Sequence, residues 1–164
     1  AAHAQIKADP AAGLCKIAAV DRTHQPGKLF TGLIRGFGLA RGAAACSAAW
    51  DTSDIVVVGA DEADMACAVN RIADLQGGAV LCEDGRVLAE IALPVFGIAS
   101  ALPVAELAAR LEGFKGAIQR LGVGFNDPLL SLVTLTGAAI PYLRICEEGL
   151  VNLKDGKTLG LFVS

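Results

Sequence analysis

The run Ile55-Val56-Val57-Val58 does most to limit what this chain can become. Four consecutive β-branched residues favour an extended backbone, and with no polar residue among them both faces of that strand must be covered. The single tryptophan, Trp50, and the polar stretch Asp51-Thr52-Ser53-Asp54 precede the run; Gly59 ends it, and Asp61 is placed to open a helix. Polar groups at the mouth of a buried strand need partners or a task, and strand-turn-helix junctions are where α/β proteins often hold ligands. Turn capping by Asp51 and Asp54 is the plainer use of the same residue types.

The flanking segments read as layers around that strand. Residues 14–20 and 29–34 are predicted strands joined by a turn at Gln25-Pro26-Gly27, and the small apolar residues 43–49 suit a strand packed closely on both faces. Met65, Val69, Ile72 and Leu75 share one face of a helix capped by Asp61 and stopped by Gly77, with Asn70 and Arg71 on the solvated side. Asp84-Gly85 turns a hairpin between residues 79–82 and 86–91.

Pro103 opens a long helix to Leu121, and Val104, Leu107, Leu111, Phe114, Ile118 and Leu121 recur along it at spacings of three and four, a stripe expected to be core. Gly113 and Gly116 weaken that helix by about 1 kcal/mol each relative to Ala, which a close packing partner would explain. Residues 129–135 suit a short helix or a strand. Residues 140–145 and 149–153 read as late strands, and 159–163 as an edge strand or a docked tail. The expected fold class is α/β (α+β), a layered domain over residues 14–164 with a mixed sheet packed by helices, after a flexible lead-in or linker at 1–13.

Composition removes several functions. With 54% hydrophobic and 19% charged residues the chain is not disordered. A net charge of -3 without a Lys/Arg cluster speaks against nucleic-acid or anionic-membrane partners. The longest weakly polar run, residues 91–105, contains Pro94 and Pro103 and falls short of the roughly 18 residues of a membrane helix, so a soluble, cytoplasmic protein is expected. Cys15, Cys46, Cys67, Cys82 and Cys146 include no C-x-x-C pair and read as small buried hydrophobes of a reducing cytoplasm, rather than zinc ligands or disulfides.

A complete catalytic site is hard to assemble. His3 and His24 fall in lead-in and turn segments, where exposed imidazole is the simple expectation, and neither has a second ligand at helical metal spacing. No Gly-x-Ser-x-Gly elbow exists, and Cys46, within Ala-Ala-Ala-Cys-Ser-Ala-Ala, lacks a base nearby in sequence. The glycines between Gly36 and Gly42 match neither the dinucleotide nor the phosphate-loop pattern, and a tight strand connection explains them. Neither catalytic residues nor metal ligands are expected in this chain.

Several motifs nevertheless occur in a familiar order: Lys16-Ile17-Ala18, Gly32-Leu33-Ile34-Arg35-Gly36-Phe37-Gly38-Leu39-Ala40-Arg41-Gly42, the segment from Asp51 to Gly59, Asp64-Met65-Ala66, Ala68-Val69-Asn70-Arg71, Gly77-Gly78, Asp84-Gly85-Arg86-Val87-Leu88-Ala89-Glu90, Leu93-Pro94, Asp127-Pro128 and Ile140-Pro141. Together they resemble the C-terminal domain of prokaryotic adenine deaminase, from about Leu14 to Leu153. The resemblance implies a module appended to an amidohydrolase-type barrel, whose manganese or iron activates water to displace ammonia from C6 of adenine, giving hypoxanthine. It implies as partners that barrel of the same enzyme, a purine and a second copy in a homo-oligomer.

One departure stands out. Where the family reads His-Asp-Ser-His-Asn, this chain has Trp50-Asp51-Thr52-Ser53-Asp54, keeping the aspartate and a hydroxyl but neither imidazole. Asp51 and Thr52 are carried over as positions near the barrel's substrate end, with Gly36 and Gly38 as backbone support; the histidines' roles are not. The alternative expectation is a stand-alone, non-catalytic purine-binding or assembly module.

Overall fold

β-branched and small residues build a central six-stranded sheet in the order β2-β1-β4-β3-β5-β6. Its strands are β1 (Leu14–Val20), β2 (Leu29–Arg35), β3 (Ala43–Cys46), β4 (Ile55–Gly59), β5 (Gly78–Glu83) and β6 (Arg86–Ala92). The computed structural model describes residues 6–139 and 142–161, so His3, the Ile140-Pro141 motif and the last residues of the expected tail lie outside the described residues. Within the expected lead-in, Pro10–Ala12 forms a 3-10 turn capped by Asp9, and the Gly13 carbonyl accepts a hydrogen bond from Gly36.

Every pairing among the described strands is antiparallel. The layered α+β class stands, but the expected mixed sheet does not form. Its sequence signal was the order β4, α1 (Glu62–Leu75), β5. Those two strands do run in the same direction, and β3 lies between them, antiparallel to both.

Alternation along the strands divides the core in two. Ala18, Ala43, Ala45, Val57, Val80 and Cys82 face α1 and meet Met65, Ala68 and Ile72. Cys15, Ile17, Ala19, Ala44, Val56, Val58 and Leu81 face the opposite layer, made by α2 (Val104–Arg120), α3 (Pro128–Val133) and the loop residues Phe37 and Leu39. Pro at the first turn and the Asp127 side chain, which accepts from Leu130 N–H at 2.9 Å, settle residues 128–133 as helix, and a 3-10 turn continues it through Thr136. A second sheet of β7 (Leu143–Cys146), β8 (Gly149–Asn152) and β9 (Thr158–Leu159) completes that side, through Ile145. Among the described residues no helix is long and apolar enough to cross a membrane.

The α2 stripe divides in a way its periodicity does not show. Phe114, Ile118 and Leu121 are core, whereas Val104 is 84% exposed and Leu111 is also exposed. The expected partner of the helix glycines is missing too: a Cβ at Gly113 would meet nothing within 4 Å, and one at Gly116 only the flexible Arg120 side chain.

Candidate functional site

Asp51 and Thr52 sit in the turn that feeds β4, at the end of the sheet where β1 and β3 finish and β5 begins. The turn is closed by a bond from Ser53 N–H to the Ala49 carbonyl at 2.9 Å, with Ser53 at φ 60°. Asp51 is exposed, and its Oδ2 accepts from Ala138 N–H at 2.6 Å, fastening the loop after α3 to the mouth of β4. Thr52 Oγ1 accepts from Asp54 N–H at 3.3 Å.

Asp54 differs from its neighbours. It is 1% exposed, and neither carboxylate oxygen has a hydrogen-bond partner. Burial pushes its pKa up to about 6; the Thr52 hydroxyl and the Glu147 N–H, close by but outside hydrogen-bond geometry, pull it the other way, and the Glu147 and Asp21 carboxylates add to the rise. Asp21, equally buried, is treated oppositely by its surroundings. Its carboxylate accepts from the N–H groups of Thr23, His24 and Gln25 at 2.7, 2.9 and 2.6 Å, and those bonds, His24 foremost, pull its pKa down to about 2. His24 is exposed, as its turn position predicts, with Nδ1 2.8 Å from the Thr23 hydroxyl.

Gly36 and Gly38 lie at the other end of the sheet. Gly36 follows the last residue of β2, and Gly38, at φ 96°, brings the backbone against the end of α2, where a Cβ would sit 3.2 Å from the Gly122 carbonyl. At the observed register Ile55 is level with Leu29, and the seven residues from there to Gly36 separate these glycines from the Thr52 end by roughly 20 Å. The four expected positions are therefore not brought together: Asp51 and Thr52 share one end, and Gly36 and Gly38, both at positive φ, lie at the other.

Two residues that sequence reasoning passed over organise the Asp51 end. Ser47, fully buried, donates through Oγ to the Gly97 carbonyl at 2.6 Å and accepts from Gly78 N–H at 2.9 Å. Arg22 donates through Nη2 to the Phe96 carbonyl at 2.6 Å. Both hold the loop at residues 93–99 against the sheet. A lone hydroxyl in an alanine run was the available signal for Ser47.

Beside that loop opens a cleft of about 630 Å³, floored by Cys46 and Ala79 and walled by Leu93, Leu107, Phe114 and Leu129, with Trp50 at its rim. Trp50 is 60% exposed and Phe96 is 84% exposed; Val95, Ile98, Leu111 and Leu130 extend the apolar surface. The Cys46 thiol is fully buried, and that burial pushes its pKa up to about 11. Among the described residues no three His, Cys, Asp or Glu side chains are placed to hold a metal ion.

The donor chemistry around Asp54 does not suit a hydrolytic metal either. Its acidic neighbour Asp21 is already engaged by three backbone N–H groups, and among the described residues no imidazole joins the two carboxyls as a third ligand. The Asp51 end of the sheet is thus a mouth with anchored loops, one unpaired buried carboxyl and an apolar cleft.

Comparison with known proteins agrees with the motif order. The chain is 41% identical over 145 residues to an adenine deaminase of Cereibacter sphaeroides, which covers 88% of this chain and 26% of that protein. It is 38% identical over 154 residues to one from Dehalococcoides mccartyi, covering 94% of this chain and 27% of the relative. A Clostridium botulinum adenine deaminase is 33% identical over 159 residues. The chain spans about a quarter of the length of the curated relatives it matches. The sequence profile of the adenine deaminase C-terminal domain matches residues 1–157, and the chain belongs to that domain family.

Proposed function

We propose that this domain serves an adenine deaminase, a hydrolase that converts adenine to hypoxanthine and ammonia, and that it contributes structure, subunit contact or active-site closure. The observation that carries the reading is the match of nearly the whole chain to about a quarter of proteins named adenine deaminase. Manganese or iron, and the displacement of ammonia, are assigned to an amidohydrolase barrel in the same polypeptide.

The partly exposed α2 stripe supports a contact role. Phe96, Val104, Leu111 and Leu130 are exposed apolar side chains, Leu111 and Leu130 among the residues lining the cleft that Trp50 rims, and the loop carrying Phe96 is pinned by Ser47 and Arg22. We assign this face to the barrel of the same enzyme, with Asp51 and Thr52 towards its substrate end. A fixed apolar surface of this kind is typical of a permanent contact.

The test uses the full polypeptide that carries this domain. It is expected to release ammonia from adenine, and Phe96→Asp with Val104→Asp is expected to lower turnover by about tenfold or more while the isolated chain keeps its thermal midpoint. Absence of adenine turnover in the full polypeptide would overturn the enzyme reading and leave the non-catalytic module; unchanged turnover in the double variant would overturn the assigned face.

A further inference from the structure

Small side chains bring α1 close to the sheet: Ala43, Ala45 and Ala68 are all fully buried between them. At this close approach the half-buried Cys67 on α1 meets the buried Cys82 on β5, whose thiol donates to Cys67 Sγ at 3.0 Å. The other cysteines are engaged by backbone: Cys15 donates to the Leu39 carbonyl, Cys146 to the Gly149 carbonyl, and Cys46 accepts from Ala48 N–H. Cys67 and Cys82 face each other instead.

We propose that Cys67 and Cys82 are a modification site, a thiol pair that closes reversibly to a disulfide between helix and sheet when a small disulfide oxidant is present. A disulfide bond is about 2.05 Å long, so closure asks the two sulfurs to approach by about 1 Å, within reach of side-chain rotation. Cys67 is the entry point because it is partly exposed. Cys82, with its sulfur 3.0 Å from Cys67 Sγ, is placed to resolve the mixed disulfide; burial first, then the adjoining Cys67 sulfur, holds its thiol well above the ordinary range, so this second step is the slow one.

The chemistry balances. The Cys67 thiolate attacks oxidised glutathione, forming a mixed disulfide and releasing one glutathione thiolate. Cys82 then attacks the Cys67 sulfur, its proton passing to the departing glutathione sulfur, so that the Cys67–Cys82 bond forms and the second glutathione leaves as a thiol. Two electrons pass from the protein thiols to the oxidant, which leaves as two thiols.

The experiment places the folded chain in glutathione buffers of graded ratio, counts free thiols after denaturation, and maps the linked peptides. Of the five thiols, three are expected to remain in oxidised buffer, with Cys67 joined to Cys82. The thermal midpoint is expected to rise by roughly 5–10 °C and to return on reduction. Cys67→Ala, at a half-buried helix position, is expected to fold as the parent does and to keep all four of its remaining thiols. Five free thiols in oxidised buffer, an unresolved mixed disulfide at Cys67, or a link to another cysteine would overturn the proposal. None of these outcomes bears on adenine turnover.

Discussion

Arg71 and Glu90 form a bidentate ion pair, Nε to Oε2 at 2.7 Å and Nη2 to Oε1 at 2.9 Å, that ties α1 to the edge strand β6. The expectation that Arg71 is solvated surface is therefore corrected: one helix face was legible, the strand beside it was not. The paired guanidinium holds the Glu90 carboxyl below its usual range. That stabilisation is present above the ordinary glutamate pKa and is lost as pH falls through it towards the lower folded value. Glu90→Gln is expected to cost about 0.5–1 kcal/mol in urea denaturation at neutral pH, the pair being partly screened by solvent, and to cost progressively less as pH falls below the ordinary glutamate range.

Asp54 predicts the opposite slope. Its folded pKa of about 6 lies above the unfolded value, so ionisation works against the fold, and this group lends stability as pH falls from about 7 to 4. Asp54→Asn is expected to raise stability at pH 7.5 by roughly 1–2 kcal/mol and to flatten the pH profile over that window. A destabilised variant with the slope intact would show that Asp54 is ionised and satisfied in the fold.

Ser47→Ala strands the buried Gly78 N–H and frees the Gly97 carbonyl. A cost of about 1–3 kcal/mol is expected. Hydrogen exchange and limited proteolysis should quicken at residues 93–99 before they do in the sheet; uniform loosening would argue against a pin on this loop.

The glycines separate by environment. Gly42 sits at φ 70° with the Cys82 carbonyl 2.5 Å from where a Cβ would be, so Gly42→Ala is expected to destabilise by about 2 kcal/mol or more. Gly113→Ala, in helix with open space around it, is expected to stabilise the isolated chain by about 0.5–1 kcal/mol in thermal or urea unfolding.

How far the sequence carried depended on whether a feature was local. β1 spans Leu14–Val20 as alternation and branching predict, and Asp84-Gly85 makes the expected hairpin turn with φ 53° and 70°. Asp61 caps α1 by accepting from Ala63 and Asp64 N–H. The features that escaped are non-local. Nothing in β4 or β5 says that β3 comes between them, and the α2 stripe shows which face is apolar but not what covers it. Asp51 and Gly36 stand in neighbouring motifs yet at opposite sheet ends, because β2 and β4 run in the same direction while Gly36 follows the one and Asp51 precedes the other. Cys67 and Cys82, fifteen residues apart, meet through helix-sheet packing that no spacing rule describes.

We propose that this domain supports adenine deamination without performing it. The most direct measurement is ammonia release from adenine by the purified chain alone, with manganese or iron supplied. No release above the protein-free control is expected; turnover that scales with the concentration of this chain would contradict the claim.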